Sequence, residues 1–419
     1  MHLIVYSPLL TSRIKYIFNF IFKDILKTEV EFTGNKDYFL QSENAKISYA
    51  DEPLGDELHF KSSSLLLSNK VEEIGLKTTM FGEYIVPFPV QQSALPFDVF
   101  AASFFLISRY EEYLHQKKSD QDFKAKSSHQ TKWRILNRPI IDEWALILKN
   151  MIRKKYPALQ FQDKKFLNQP IINFTLKPDV PLKFFPKTKF IINAVFNKEQ
   201  KYLSHIFDNL TGLGLNEEKV MAQLDQLLHK TKAVYFINFP EDIKNKLNYS
   251  KASKFLKGRA VGLLRPCTHD KDQSVLINGL KKLKKINAGN VNLMSQQLEV
   301  LKLPTCYLQL LSAGITSDYS MGYADTLGFR AGTCTPFCWY DLQLEKITPI
   351  LVKSYCINDS TLQYLSVAEA KKAIEDYIDA VKLVDGDFYS SWQLKSLSEN
   401  AKFKKWKSVF HDMLKYAGN

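Results

Sequence analysis

Charged side chains follow directly after several apolar segments that are typical of β-strands. The segment PIINFTL is followed by Lys177 and Asp179, and the segment AVGLL by Arg265. A carboxylate in such a position can act as a general base or a metal ligand, and a guanidinium can hold a carboxylate or phosphate through two parallel hydrogen bonds. For Asp179 two interpretations stay open: a site carboxylate, or a strand-end acid paired with Lys177.

The stretch SDYSMGYADTLGFRAGTCTPFCWYDL, residues 317–342, combines aromatic residues, glycines and an arginine without helical or strand periodicity. Tyr323 and Asp325 are the pair expected to be exposed and to contact a sugar. The face of an aromatic ring packs well against the CH-rich face of a sugar. Arg330 either clamps an anionic group of a substrate or pairs with Asp318 or Asp325 to hold the loop. The stretch is therefore predicted to form part of a pocket wall.

These residues must be positioned by the second part of the chain, where predicted strands alternate with predicted helices. Such alternation indicates a mostly parallel sheet or a barrel with helices outside. Functional sites in these folds gather at the carboxyl ends of the strands. Trp392, near the end of the last predicted strand GDFYSSWQL, is accordingly expected to line the floor of the pocket.

The first part of the chain is predicted to be a smaller α+β domain, residues 1–165, followed by an α/β domain, residues 166–419. Its N-terminus favours a short strand and then an amphipathic helix capped by Thr11 or Ser12. The segment DVFAASFFLISRYEEYL predicts an apolar helix from Asp98, and RPIIDEWALILKNMIRKKY a helix from Pro139. No run approaches the ~18 apolar residues of a membrane span.

Composition narrows the class of protein. The chain of 419 residues carries a formal net charge of +13, which could attract an acidic glycan, an anionic lipid or nucleic acid. No zinc finger, RNA-binding signature or arginine cluster accompanies the charge, so nucleic acid is not the expected partner. The five cysteines include a CxxxC pair without a second pair to complete a zinc site. Buried free thiols and a cytoplasmic location are expected.

The longer motifs PFDVFAASFFLISRYEEYL, RPIIDEWA, LPTCYLQLLSAGITSDYSMGYADTLGFRAGTCTPFCWYDL and NDSTLQYL span nearly the whole chain. In this order they resemble the NodB-homology polysaccharide deacetylases, in a Bacteroidetes-type branch with an extra N-terminal domain. The resemblance implies an irregular (β/α) barrel in the C-terminal half that removes an acetyl group from an N-acetylated sugar. It also implies a divalent metal such as zinc, usually held by one Asp and two His, with a second Asp as general base.

The sequence departs from this family at the positions that carry the chemistry. Where the branch has Thr-Phe-Asp-Ile-Asp, residues 175–179 read TLKPD, so that Lys177 replaces the first carboxylate and only Asp179 remains. Where it has His-Pro-Ser-Tyr, residues 265–268 read RPCT, and the first position is Arg265. His269 is a candidate substitute for the lost imidazole.

The two remaining motifs have also lost their histidines. Where the family has Ser-Arg-Gln-His, residues 294–297 read MSQQ, and where it has Leu-Trp-His-Asn, residues 391–394 read SWQL. One carboxylate without an imidazole cannot supply the three protein ligands of a catalytic zinc site, and Lys177 and Arg265 would repel a cation. We therefore expect no metal cofactor.

Three functional hypotheses follow. The first is a pseudo-enzyme that keeps the deacetylase framework and binds a glycan, an anionic sugar or a protein in cell-envelope carbohydrate metabolism. The second is an active N-acetyl hydrolase whose rearranged site uses His269 and Cys267. The third is a nucleic-acid-binding module, which rests on the net charge alone.

Overall fold

The computed structural model of the protein describes residues 1–119, 121–175, 217–229, 231–239, 250–265, 273–287, 291–296, 301–400 and 402–418. Several sequence-predicted residues lie outside these ranges: Lys177, Asp179, Cys267 and His269. Statements below concern the described residues.

The first part of the chain builds a parallel sheet and a separate antiparallel hairpin. Its strands are β1 (Leu3–Tyr6), β2 (Val30–Thr33), β3 (Ala45–Ala50), β4 (Leu58–Lys61), β5 (Thr78–Phe81) and β6 (Tyr84–Pro87). Four of them form the parallel sheet in the order β2-β1-β3-β4, and β5 pairs with β6.

Helices cover this sheet and connect it to the rest of the chain. They are α1 (Ser12–Asn19), which continues as a π-helix (Phe20–Ile25), α2 (Lys36–Gln41), α3 (Ser64–Leu67), α4 (Val99–Ile107), α5 (Tyr110–Lys118), α6 (His129–Lys132) and α7 (Ile140–Lys155). Thr11 caps α1 by accepting a hydrogen bond from the Ile14 amide, which confirms the predicted N-terminal strand and helix.

The predicted apolar helix begins where expected but is broken in the middle. Asp98 caps α4 by accepting hydrogen bonds from the Phe100 and Ala101 amides, and every residue of α4 is buried. The expectation of one continuous helix is wrong, because Arg109 takes a left-handed backbone conformation (φ 55°) between α4 and α5. After this break, the acidic first turn of α5 contacts residues 317–342.

The second part of the chain builds a nine-stranded sheet. Its strands are β7 (Leu167–Thr175), β8 (Val234–Asn238), β9 (Ala260–Leu264), β10 (Leu293–Ser295), β11 (Ser317–Asp318), β12 (Phe337–Asp341), β13 (Lys346–Val352), β14 (Ile357–Asn358) and β15 (Asp387–Gln393). The order is β12-β13-β11-β10-β9-β8-β7-β15-β14, and each pairing is parallel except that of β12 with β13.

Helices alternate with these strands, as the sequence predicts for an α/β protein. They are α8 (Glu217–Leu227), α9 (Ser250–Leu256), α10 (Ser274–Ile286), α11 (Thr305–Ser312), α12 (Asp359–Leu362), α13 (Val367–Leu383) and α14 (Lys404–Ala417). Ser366 and Glu369 form a capping box at the start of α13. The domain boundary at 165/166 and the barrel form of the sheet stay predictions.

The two faces of the large sheet contact different surroundings. Ile172 and Phe174 of β7 belong to the extended apolar core, whereas Ile171 belongs to a smaller cluster on the other face. In that cluster the Tyr319 ring, just after β11, lies 5.1 Å from the Phe236 ring and 6.0 Å from the Tyr389 ring. Strands β11 and β15 are far apart in the strand order, yet these rings lie close together. The sheet is therefore strongly curved.

The cysteines follow the sequence expectation in part. Cys334, Cys338 and Cys356 are free thiols, but Cys306 is disulfide-bonded, so the expectation of free thiols throughout is wrong. No helix in the described part of the chain has the length and apolar character needed to cross a membrane.

Candidate functional site

The carboxyl ends of the parallel strands form one edge of the large sheet, which we call the carboxyl edge. It brings together the ends of β7, β8, β9, β10 and β15. Asn173 Nδ2 donates a 2.8 Å hydrogen bond to Ser391 Oγ, and the Arg265 amide donates to the Ser295 carbonyl oxygen at 3.0 Å. Thr175, Arg265, Gln296 and Gln393 therefore lie at this edge, each at or directly after the end of its strand.

Two buried amide side chains at the carboxyl edge have oxygen atoms without a hydrogen-bond partner among the described residues. They are Asn173 Oδ1 and Gln296 Oε1, and both residues are at least nine-tenths buried. The Gln296 amide nitrogen donates to Ser320 Oγ at 2.8 Å, which fixes the backbone there. Because a buried, unpaired acceptor is unfavourable, these oxygens are suited to accept hydrogen bonds from a ligand.

A cavity of about 210 Å³ lies between the carboxyl ends of β8 and β9 and the first turns of α10. Its polar lining comes from Asn238, Arg265, Asn278 and Lys282. Arg265 is 6% exposed, so most of its side chain is removed from solvent. The structure thus places the sequence-predicted Arg265 at a cavity on the carboxyl edge, whereas the positions of Lys177 and Asp179 lie outside the described residues.

The described residues of the carboxyl edge do not fit a divalent metal. At the ends of β7, β8, β9, β10 and β15 these side chains include amides, hydroxyls and a guanidinium, and a guanidinium repels a cation. The carboxylates of Asp318 and Asp359, at the ends of β11 and β14, already accept hydrogen bonds from Ser320 and from the Gln393 amide. In the described part of the chain, no group of three His, Cys, Asp or Glu residues is arranged to hold a metal ion. The expectation that no metal is bound stays a prediction, since Asp179 and His269 are not among these residues.

Arg330 lies in the buried contact between residues 317–342 and α5 rather than at a pocket. Its Nε and Nη2 donate to the two carboxylate oxygens of Glu112 at 2.9 and 2.7 Å, and its Nη1 donates to the Gly322 carbonyl oxygen. The loop-holding role expected as one alternative is what these bonds provide, but the partner is Glu112, not Asp318 or Asp325. A fully engaged, buried guanidinium has little capacity left for a substrate.

The same carboxylate also binds a second arginine. Arg109 Nε donates to Glu112 Oε1 at 2.8 Å, and Arg109 Nη2 donates to Glu111 and to the Tyr323 hydroxyl. Burial opposes ionisation of Glu112, but the guanidiniums of Arg330 and Arg109 hold the pKa of this carboxyl below its ordinary value. We call these residues the arginine clamp: Arg109, Glu111, Glu112, Tyr323 and Arg330.

Tyr323 and Asp325 do not form the exposed pair that the sequence suggested. Tyr323 is 2% exposed, and its ring lies 5.1 Å below the Arg330 guanidinium. Asp325 is exposed, as expected. The prediction is wrong for Tyr323 because the Arg330 guanidinium covers its ring and Arg109, from a distant part of the chain, donates to its hydroxyl.

Trp392 faces the helices and not the floor of a pocket. Its side chain is fully buried, with its ring 5.0 Å from that of Phe410 in α14. Successive side chains of a strand point to opposite faces, so its neighbour Ser391 lies on the face that carries Asn173. Trp392 therefore lies near the end of the last strand, as predicted, but on the opposite face of the sheet from the one expected.

Sequence reasoning missed Asn173, Asn238, Asn278 and Lys282. The first two could have been found by alternation, because they stand on the same face of β7 and β8 as Ile171 and Phe236. Asn278 and Lys282 are one helical turn apart in α10, but their position over the carboxyl edge is a tertiary feature.

Comparisons with known proteins are sparse. Residues 3–157 match the model of a family described as a family of unknown function (DUF7033). No curated protein matches this chain. A solved structure described as "putative polysaccharide deacetylase from Mycobacterium smegmatis" is similar with a TM-score of 0.34 and 11% sequence identity, covering 61% of this chain and 85% of that one.

Proposed function

We propose that the protein binds a glycan at the carboxyl edge and lacks metal-dependent N-deacetylase activity. The observation that carries this proposal is the pair of buried amide oxygens on Asn173 and Gln296, which have no partner among the described residues. Sugar hydroxyls are hydrogen-bond donors and acceptors, so amides placed at a concave edge are suitable partners for them. The chain is thus a deacetylase-like binding protein in carbohydrate metabolism.

The proposal includes a closed, barrel-like sheet. Strand β13 pairs with β11 and β14 pairs with β15, and only residues 353–356 separate β13 from β14. A nearly continuous segment therefore links two strands from distant parts of the sheet order. The contact of Tyr319 with Tyr389 across the interior supports the same closure. In a closed sheet the carboxyl edge becomes a ring that surrounds one binding site.

Loss of deacetylase chemistry is supported by the types of described side chain at the ends of β7, β9, β10 and β15. Hydrolysis of an amide needs a polarising group and a base that takes the proton from water. Asn173, Gln296 and Ser391 are neutral near pH 7 and can do neither. Arg265 is a permanent cation and can neutralise negative charge but cannot accept a proton.

The test is binding of N-acetylated oligosaccharides measured by calorimetry, with Asn173→Ala as the variant. Because the substitution removes the amide oxygen, we expect affinity to fall by about tenfold, the effect of about 1.4 kcal/mol for one lost hydrogen bond. The matched control is Asn168→Ala, which changes a buried asparagine near the opposite end of the same strand. It should leave the affinity unchanged.

Two further measurements decide between binding and catalysis. Elemental analysis of the purified protein should find no stoichiometric zinc or other divalent metal. Incubation with the same oligosaccharides should release no acetate. Metal-dependent acetate release that His269→Ala abolishes would instead establish the rearranged hydrolase, and equal affinities of both asparagine variants would remove Asn173 from the binding site.

A further inference from the structure

The cavity at the ends of β8 and β9 has a positively charged lining. Arg265 and Lys282 contribute the charges, and Asn238 and Asn278 contribute amides. No carboxylate of the described residues lines it. A concave site with two cations, two amide donors and no acid among its described lining is complementary to an anionic oxygen-rich group.

Because Arg265 is buried, its charge attracts an anion in the cavity more strongly. Its side chain lies in a partly desolvated setting, where charge–charge attraction is stronger than in water. The planar guanidinium presents donors in a geometry that matches a carboxylate or phosphate. Lys282 lies across the cavity on an exposed turn of α10, with its ammonium group 5.8 Å from the ring centre of Phe239, which also lines the cavity.

Helix α10 forms one side of the cavity. Its residues Val275, Asn278, Gly279 and Lys282 contribute to the lining. A side chain at Gly279 would lie 3.0 Å from Leu263, so glycine allows this close approach of the helix to β9.

The rest of the exposed surface of α10 is basic as well. Lys281, Lys284 and Lys285 are exposed on the same helix. These lysines raise the local potential and draw anions towards the cavity, whereas only Lys282 among the four lines it.

We propose that this cavity, the anion subsite, binds an acidic substituent of the glycan, a carboxylate or a phosphate ester on a sugar ring. The inference rests on the proposed glycan binding and narrows it to acidic saccharides. The volume of about 210 Å³ suits one charged substituent with part of its ring, because drug-sized ligands occupy about 300–1,000 Å³.

The test compares three variants of the full chain by calorimetry. Lys282→Gln removes one charge from the subsite, Asn278→Asp introduces a like charge beside the bound anion, and Lys285→Gln removes an equal charge outside the subsite. All three positions are exposed, so folding should be preserved. The probes are a uronic-acid oligosaccharide, a neutral N-acetylated oligosaccharide of equal length, a sugar phosphate and inorganic phosphate.

We expect the acidic oligosaccharide to bind more tightly than the neutral one. Lys282→Gln should weaken acidic binding about tenfold and Asn278→Asp more strongly, while Lys285→Gln should change it less than about twofold. Affinity for the neutral oligosaccharide should be the same in all variants. The sugar phosphate and the uronic acid distinguish the two sources of the anionic group.

The possible negative results distinguish an error in the anion subsite from an error in the proposed glycan binding. If acidic and neutral oligosaccharides bind equally, or if Lys282→Gln and Lys285→Gln weaken binding alike, the anion subsite is wrong and glycan binding at Asn173 stands. If inorganic phosphate binds in a Lys282-dependent way and no saccharide binds, the anion subsite stands and the glycan is wrong. Single-stranded RNA that binds tightly and is weakened alike by both lysine variants would assign the basic surface to nucleic acid and overturn the proposal.

Discussion

Glu112 illustrates how one residue links two parts of this chain. Its carboxylate is fully buried and accepts hydrogen bonds from Arg109, three residues earlier, and from Arg330, 218 residues away in sequence. Two guanidiniums and one carboxylate together carry a net positive charge. Glu111, which forms an ion pair with Arg109, neutralises it. Removal of the central charge would leave two buried cations facing each other.

We expect Glu112→Gln to lower the free energy of unfolding by about 3–5 kcal/mol, the range found when one partner of a buried ion pair is removed. Urea unfolding followed by circular dichroism measures the change. The matched control is Glu375→Gln on the surface of α13, which should leave the unfolding midpoint in place. A loss at Glu112 no larger than that of the control would mean that the clamp contributes nothing to stability.

Asp318 is a second buried carboxylate, at the end of β11. It accepts hydrogen bonds from the Tyr307 hydroxyl at 2.8 Å and from the Ser320 amide at 2.9 Å. Burial raises the pKa of Asp318 to about 6, although hydrogen bonds from Ser320 and Tyr307 favour the ionised form. The folded state therefore holds this proton more tightly than the unfolded chain does.

The raised pKa of Asp318 makes the folded protein less stable as pH rises. Since the folded pKa of Asp318 lies above the ordinary value of 3.8, its contribution to the free energy of unfolding falls as pH rises from 3.8 to about 6, by about 1.4 kcal/mol per pH unit. Carboxyl ¹³C NMR, assigned with Asp318→Asn, should give a midpoint near 6. Ser320→Ala should raise this pKa further, because it removes a donor to the carboxylate. A midpoint near 4 would contradict the prediction.

At the scale of elements, local signals were sufficient to find several helices and strands. Thr11, Asp98 and Ser366 each accept a hydrogen bond from a backbone amide in the first turn of a helix, at the positions that the sequence indicates. Capping depends on residues within one turn of each other, so no tertiary information is needed. The interruption at Arg109 has no such local signal, because its left-handed backbone is accompanied by long-range bonds to Gln130 and Tyr323.

The capping box of α13 offers a test at this scale. Ser366 Oγ accepts from the Glu369 amide at 3.2 Å, and Glu369 accepts in return from the Ser366 amide at 2.8 Å. We expect Ser366→Ala to destabilise the protein by about 1 kcal/mol, measured by urea unfolding. Ser408→Ala, on an exposed position within α14, makes the same chemical change without a cap and should not be destabilising. Equal effects at both positions would show that the cap has no role.

At the scale of the whole molecule, the two predicted domains share a buried polar interface. Asp142 of α7 accepts hydrogen bonds from the hydroxyls of Thr333 and Thr335 at 2.6 and 2.5 Å. Arg13 of α1 donates to both carboxylate oxygens of Glu345. Together with the arginine clamp, these bonds pair buried charges of one part with groups of the other part.

We therefore expect the two parts to unfold as one cooperative unit. Hydrogen exchange by mass spectrometry under increasing denaturant should give the same opening free energy for the protected amides of α7 and of β15. Glu112→Gln should lower both values by the same amount, because the clamp joins the two parts. Exchange of α7 at lower denaturant than β15 would show independent domains.

The sequence alone determined the type and place of several elements, the alternation of strands and helices in the second part and several of the strand ends at the carboxyl edge. Those features follow from periodicity, caps and alternation, which act over a few residues. Only the tertiary structure decided that Arg330 binds Glu112 rather than a substrate, that Trp392 faces the helices, and that Arg265 and Lys282 line one cavity. These outcomes depend on contacts between residues far apart in the chain, and local patterns carry no information about such partners.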